Sequence, residues 1–171
     1  MQYFSEIYNS WKNIQEQKYK VILDLLKKEN VKLSEGLVLD IGCGPFYFES
    51  FLEKNGIDTS NFFYLDIEAR NPSKHFVLGD ANAIPFKPRT FFVVFCIDVI
   101  HLINNPNELY EITKENGLIL ASLFFNKENM EERTAEILDK LNRFKILREV
   151  LLTGRESEII ILGVRDDRKE Q

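Results

Sequence analysis

The feature that most constrains the fold is the stretch Val38-Leu-Asp-Ile-Gly-Cys-Gly44. The segment from Leu37 to Ile41 is a short, mostly apolar run without alternation, which is typical of a parallel strand covered on both faces. Two glycines then stand where the backbone must turn sharply, and helical spacing follows from Phe46 to Asn55. The pattern predicts a strand, a tight turn and a helix, which is the repeating unit of an α/β fold.

Similar apolar runs recur along the chain, separated by helical or turn segments. The chain has further predicted helical segments: Ser5 to Lys28, with a possible break near Gln17; a stretch from the end of the fourth predicted strand (91–97) to about Glu115; and Glu128 to Asn142. The remaining predicted strands cover residues 62–67, 75–78, 91–97, 118–125, 144–152 and 159–164. The last two flank the turn 153–157 and therefore predict an antiparallel pair.

This alternation predicts a single Rossmann-like, doubly wound sheet that is mostly parallel, with helices on both faces. Ligands of such sheets bind outside the carboxyl ends of the strands. We therefore expect the chemistry at residues 42–44, 66–68, 79–82 and 96–98.

Length and composition narrow the class of protein. A chain of 171 residues suits one domain, and 22 Lys and Arg against 27 Asp and Glu argue against a nucleic-acid ligand. The sequence shows no leader, no apolar run of membrane-spanning length and no metal-ligand cluster, so we expect a cytoplasmic protein in which Cys43 and Cys96 are reduced thiols. The predicted organisation is a helical segment (1–35), a ligand-binding domain (36–165) and a frayed charged tail (166–171).

Two acidic residues follow predicted strands at informative positions. Asp66 lies 22 residues after Gly44, near the spacing at which a strand-end acid accepts hydrogen bonds from ribose hydroxyls. Asp80 is followed by Ala81 and Asn82, and its carboxylate together with a free backbone N–H could form hydrogen bonds with the edge of an adenine ring. The alternative for the glycine turn is an ordinary strand-to-helix turn, and the alternative for Asp80 is a loop acid that caps its own backbone.

Five motifs in order resemble those of the class I S-adenosylmethionine-dependent methyltransferases, in particular the small type 11 group that includes ubiquinone and menaquinone biosynthesis enzymes. The similar segments are VLDIGCGP, YLDIE, GDANAIPF, FFVVFCIDVIHLI and ENGLILASLF. The closing hairpin is similar to the extra antiparallel pair of that family. The resemblance implies the strand order 3-2-1-4-5-7-6 with strand 7 antiparallel, and S-adenosylmethionine as cofactor with S-adenosylhomocysteine as product.

The resemblance also implies roles for individual residues. The glycine turn would follow the amino-acid moiety of the cofactor, Asp40 would hold that turn and the ammonium group, and Tyr8 and Trp11 would fold over the cofactor unless they pack in the core. The cofactor-binding residues implied in this way are Asp40, Gly42, Cys43, Gly44, Asp66, Ile67, Asp80, Ala81, Cys96, Ile97, Tyr8 and Trp11.

The chain departs from the family pattern at three places: Phe46 replaces a third glycine, Leu102 replaces a second histidine, and the segment before strand 5 is trimmed to residues 115–117. Methyl transfer is an in-line displacement that needs alignment and sometimes proton removal, for which His101 and Asp98 are the candidate catalytic residues.

Three hypotheses follow. The leading one is methyl transfer to a small-molecule acceptor, and the alternative is a cofactor-binding or degenerate methyltransferase-like subunit that acts through a protein partner. A nicotinamide-dependent enzyme ranks last, because Pro45, Phe46 and Tyr47 follow Gly44 where Gly-x-Gly-x-x-Gly requires a glycine.

Overall fold

The computed structural model describes residues 2–68, 75–154 and 157–167, with side chains described from residue 14 onward. The strands are β1 (Val38–Ile41), β2 (Phe62–Asp66), β3 (Phe76–Leu78), β4 (Phe91–Ile97), β5 (Thr113–Phe125), β6 (Lys145–Leu152) and β7 (Ser157–Val164). The helices are α1 (Gln2–Lys28), α2 (Tyr47–Lys54), α3 (Asn107–Ile112) and α4 (Met130–Lys140), with short 3-10 helices at Leu33–Glu35 and Ile100–Leu102.

The strands form one seven-stranded sheet in the order β3-β2-β1-β4-β5-β7-β6. Strands β3, β2, β1, β4 and β5 pair in parallel, whereas β7 is antiparallel to both β5 and β6. The predicted fold class and strand order are therefore confirmed. The carboxyl ends of the parallel strands meet along one side of the sheet, which we call the carboxyl edge.

Apolar residues cover both faces of the sheet, and β4 lies at its centre. Side chains at 91, 93, 94, 95 and 96 are fully buried. Successive residues contribute to opposite faces, with Val94 and Cys96 in one core cluster and Val93 and Phe95 in the other. This two-sided burial explains why the strand reads as a continuous apolar run.

Helix α1 is continuous past Gln17, so the predicted helical segment is one helix and not two. The predicted boundary between the helix after strand 4 and strand 5 is wrong, because β5 begins at Thr113 rather than at residue 118. Thr113 pairs with Phe91, after which the register shifts, so the predicted Asn116-Gly117 turn is an irregularity inside the strand, with Asn116 at a φ of 60°. The predicted helix after strand 4 accordingly ends at Ile112 rather than near residue 115.

The charged segment that follows β7 begins with a buried residue. Arg165 is 2% exposed, and its guanidinium donates to the carbonyl oxygens of Tyr110 (2.7 Å) and Thr113 (2.9 Å) and to Asp167 (2.7 Å). The predicted frayed tail lies beyond it, and residues 168–171 are outside the described residues.

No helix of the described residues combines the length and the apolar character needed to cross a bilayer.

Candidate functional site

A cleft of about 460 Å³ opens at the carboxyl edge beside β1, β2 and β3. The predicted site residues Gly42, Asp66, Ile67, Asp80 and Ala81 line it. Glu68, Gly79 and Asn82 of the predicted positions 66–68 and 79–82 line it as well. The lining also includes residues outside the predicted positions: Ile41, Leu65, Val99 and Leu102. The predicted positions at the ends of β1, β2 and β3 therefore line one cleft of the size that small ligands occupy, whereas residues 96–98 are not among its described lining residues.

The two glycines of the β1 turn have positive φ angles, 70° at Gly42 and 52° at Gly44. A Cβ atom on Gly42 would lie 2.4 Å from Cγ1 of Val99, whereas one on Gly44 would meet no atom within 4 Å. Gly42 is thus required by both its conformation and the close approach of Val99. Gly44 leaves the backbone open on its outer side.

Asp66 holds this turn in place. Its carboxylate accepts hydrogen bonds from the backbone N–H of Gly44 (2.8 Å) and of Glu68 (2.9 Å). The acid predicted to bind ribose therefore also fixes the glycine turn, which places both groups on one wall of the cleft.

Asp80, in the loop after β3, begins a small polar network that also lines the cleft. Its Oδ1 accepts from the backbone and side-chain N–H groups of Asn82, at 2.8 and 3.1 Å. Asn82 in turn donates to the carbonyl oxygen of Leu102 (3.1 Å) and accepts from the N–H of Asn104 (2.6 Å). Asn82 thereby joins the loop after β3 to the loop after β4.

Asp40 lies within β1 beneath the glycine turn and is 4% exposed. Burial, reinforced by the charges of Glu49 and Asp66, raises the pKa of its carboxyl group to about 8. No described residue donates a hydrogen bond to this carboxylate or forms an ion pair with it, so its negative form lacks a partner within the described part of the chain.

Phe46 occupies the position of the missing third glycine with a φ of 59°, just before α2. Its ring packs edge-on against Tyr64 at 5.1 Å between centroids and against Phe76 at 6.1 Å. It contributes to the core on the α2 face of the sheet and is absent from the lining of the cleft. The unusual side chain is therefore turned away from the candidate site.

A buried ionic cluster lies at the carboxyl ends of β4 and β5. Lys18 of α1 is 2% exposed and contacts Asp98 and Glu158, the latter at 2.8 Å. Ser122 donates a further hydrogen bond to Asp98 at 3.2 Å. Asp98 itself has a positive φ of 59° and keeps about a third of its side chain exposed.

The two acids of this cluster titrate in opposite directions. Burial and a shared hydrogen bond with Asp98 raise the pKa of Glu158 to about 9. Burial opposes ionisation of Asp98 as well, but the hydrogen bond from Glu158 and the charge of Lys18 outweigh it and lower its pKa. At neutral pH Glu158 therefore keeps its proton, whereas Asp98 is ionised.

The remaining predicted residues are not among the described residues that line the cleft. His101 is half-buried in the 3-10 helix Ile100–Leu102, and its Nδ1 finds no hydrogen-bond partner among the described residues. Cys43 and Cys96 are buried free thiols whose pKa values burial raises. Ile97 follows Cys96 at the end of β4, and Tyr8 and Trp11 lie in the part of α1 whose side chains are outside the described residues.

Sequence reasoning missed Lys18, Ser122 and Glu158. Ser122 and Glu158 could have been found, because both lie where β5 and β7 reach the carboxyl edge. Lys18 carried no such signal, since a lysine within a helix normally faces solvent.

A family model described as a methyltransferase domain matches residues 39–121. Protein MJ0638 of Methanocaldococcus jannaschii is 36% identical over 137 residues, which are 74% of this chain and 55% of that protein. The human protein named arginine-hydroxylase NDUFAF5, mitochondrial, is 32% identical over 101 residues, which are 52% of this chain and 28% of that protein. The chain thus spans about half or less of the length of these relatives.

Solved structures share the fold at lower identity. The PH0226 protein of Pyrococcus horikoshii superposes with a TM-score of 0.63 and 20% identity, over 88% of this chain and 92% of that one. An S-adenosylmethionine-dependent methyltransferase of Aquifex aeolicus superposes with a TM-score of 0.63 and 16% identity, over 87% of this chain and 97% of that one. A Haloferax volcanii complex of the Trm112 methyltransferase activator with a methyltransferase superposes with a TM-score of 0.59 and 15% identity, over 77% of this chain and 83% of that one.

Proposed function

We propose that the chain is a class I S-adenosylmethionine-dependent methyltransferase that transfers a methyl group to a small-molecule acceptor; the match of residues 39–121 to the methyltransferase-domain model and the fold shared with solved methyltransferases support this proposal. The observation that carries this proposal is the cleft at the carboxyl edge, where Gly42, Asp66 and Asp80 line one continuous surface. These residues come from the ends of three neighbouring strands, which is the arrangement that binds nucleoside-containing ligands in α/β sheets.

The residues of the cleft fit this cofactor in charge and shape. Asp66 would accept from the ribose hydroxyls, Asp80 and the N–H of Ala81 would meet the adenine edge, and the glycine turn would follow the amino-acid portion. Asp40 supports this assignment, because its buried carboxyl group has no partner among the described residues and is complementary to an ammonium group.

Methyl transfer needs one contribution from the cleft beside β1, β2 and β3 and another from the residues that follow β4. The bound cofactor supplies an activated methyl group, so the protein must mainly align the acceptor and exclude water. Asp98 is a weak proton acceptor because its pKa is lowered, and it suits a hydrogen bond to the acceptor better than proton removal. His101 lies between the cleft residues Val99 and Leu102 in the chain, and we assign it the role of general base.

Calorimetric titration with S-adenosylmethionine and S-adenosylhomocysteine tests cofactor binding. Asp80→Ala should weaken binding by about tenfold, the effect of losing a hydrogen bond to a charged group. Asp24→Ala, which removes an exposed acid of α1, should leave binding unchanged. Failure of both ligands to bind the unmodified protein would refute the proposal.

A second candidate is a cofactor-binding subunit that acts through a protein partner or performs another reaction. The name of the human relative assigns it arginine hydroxylation, and one structural neighbour is complexed with an activator protein. Transfer of a radiolabelled methyl group to a panel of acceptors, with and without proteins that copurify, separates the candidates. Turnover by the isolated chain favours the first, and turnover only with a copurified protein favours the second.

A further inference from the structure

A small cleft of about 200 Å³ lies between α1 and α2. Gln15, Glu16 and Tyr19 of α1 form one wall of it, and residues of α2 and of the turn before α2 form the other. It shares no described lining residue with the cleft beside β1, β2 and β3. The proposed methyl transfer assigns no role to the residues of this second cleft.

The side-chain amide of Gln15 is a buried polar group in the wall of the second cleft. Gln15 is 7% exposed, yet no described residue forms a hydrogen bond with its amide. A buried amide normally has partners, because leaving its donors and acceptor without hydrogen bonds costs free energy. In the described part of the chain, the unpartnered polar atoms that are sealed from solvent are Tyr64 Oη and His101 Nδ1. The amide of Gln15 therefore stays open to a ligand in the cleft.

The first turn of α2 offers further hydrogen-bond donors beside the second cleft. Phe46 occupies the N-cap position without capping the helix through its side chain, and the backbone N–H groups of Phe48 and Glu49 donate to no described acceptor. Pro45 and Tyr47 line the cleft at this end of the helix. Uncapped N–H groups at a helix N-terminus favour a negatively charged group, so the cleft adjoins a place for a carboxylate.

One acid and one base complete the polar lining. Glu16, which follows Gln15 directly, is half-buried, and Lys54 of α2 is exposed. No described residue forms an ion pair with either side chain. A simple anion would be repelled by Glu16, and a simple cation would leave the amide and N–H donors without an acceptor. A ligand that carries both charges close together would satisfy both groups.

Aromatic side chains supply the apolar part of the second cleft. The rings of Tyr19 and Phe51 lie 5.7 Å apart between centroids, and both line it. We propose that the second cleft binds a small α-amino acid with an apolar side chain. Its carboxylate accepts from the Gln15 amide and the first-turn N–H groups of α2, its ammonium group donates to Glu16, and its side chain packs on the rings.

Titration of the full ¹⁵N-labelled chain with L-leucine, followed by NMR, tests this site. L-Leucine should give saturable shifts centred on the amides of Gln15, Phe48 and Glu49. The matched ligands 4-methylpentanoate, which lacks the ammonium group, and 3-methylbutylammonium, which lacks the carboxylate, should each bind at least about tenfold more weakly, the effect of losing a hydrogen bond between charged groups.

Two variants assign the charges to residues. Gln15→Met should weaken leucine binding by about tenfold without lowering the melting temperature, because the amide has no described partner to lose. Gln17→Met, at an exposed position of α1, is the matched control and should change neither quantity. Glu16→Gln should bind L-leucine and 4-methylpentanoate with about equal affinity, since these ligands differ in the ammonium group.

Four results would overturn the proposal. They are the absence of saturable shifts with L-leucine, equal affinity for L-leucine and either matched ligand, equal leucine affinity in Gln15→Met and Gln17→Met, and displacement of leucine by S-adenosylhomocysteine, which would place the amino acid in the cofactor site. Because the two clefts share no described lining residue, leucine binding and cofactor binding can fail independently.

Discussion

Acidic side chains lie along the whole carboxyl edge, but the two halves of that edge hold them differently. Beside β1, β2 and β3, Asp66 and Asp80 accept hydrogen bonds from nearby backbone N–H groups, and Asp40 has no described partner. Beside β4, β5 and β7, Lys18 of α1 contacts both Asp98 and Glu158. The first half thus leaves negative charge for a ligand to compensate, whereas the second compensates it within the protein.

The largest effect should follow from removing the lysine of the second half. Lys18→Met leaves Asp98 and Glu158 buried without their cation, and we expect the free energy of unfolding in urea to fall by roughly 3–5 kcal/mol. Lys20→Met, an exposed neighbour on α1, should cost far less. Adding Asp98→Asn to Lys18→Met should recover part of the loss, because Asp98 carries the charge that the lysine compensates. A loss below about 1 kcal/mol for Lys18→Met, typical of a surface ion pair, would contradict the comparison.

The next largest effect concerns the turn of the first half. Gly42→Ala places a methyl group against Val99 at a positive φ angle, and we expect a loss of roughly 2–4 kcal/mol together with loss of cofactor binding. Gly44→Ala meets no atom and should cost only about 1 kcal/mol. Equal losses for the two variants, measured by chemical denaturation, would show that steric contact with Val99 is unimportant.

The pH dependence of cofactor binding tests the unpartnered carboxyl group. Asp40 keeps its proton up to a pH of about 8, well above its ordinary pKa of 3.8, whereas binding of an ammonium group requires the ionised form. Affinity for S-adenosylhomocysteine should therefore rise between pH 5.5 and 7.5, by at most about tenfold per pH unit. Asp40→Asn should abolish the rise, and Glu158→Gln should preserve it. A flat profile in the unmodified protein would remove Asp40 from the cofactor site.

The smallest effect on binding is expected at Phe46. Phe46→Gly relieves the positive φ angle but removes the ring contacts with Tyr64 and Phe76, so stability should fall by about 1 kcal/mol. Affinity for S-adenosylhomocysteine should stay within about twofold, less than the effect of one hydrogen bond. A gain in affinity of tenfold or more would mean that the phenylalanine obstructs the cleft.

The sequence predicted the first half of the edge better than the second. The turn after β1, Asp66 and Asp80 follow strands, and strand ends are recognisable from apolar runs that stop at glycine or an acid. The direction of the Phe46 side chain could not be predicted, because it depends on a left-handed backbone conformation that local propensity does not encode for phenylalanine.

The second half depends on contacts distant in sequence. Lys18 and Glu158 are 140 residues apart, and nothing in either local sequence indicates a buried pair. The early start of β5 was missed for a similar reason, since residues 114–116 are polar and exposed but continue the strand through its pairing with neighbours. Tertiary pairing overrides local pattern at both places.

The insertion of β7 between β5 and β6 has a consequence for biosynthesis. A ribosome makes β7 after both of its neighbours, so the thirteen-residue β5 keeps one edge unpaired until residues 157–164 have emerged. That edge is rich in apolar residues, and unpaired apolar strands attract other chains. The nascent protein should therefore depend most on chaperones during this interval, and chains interrupted before residue 157 should be those that aggregate.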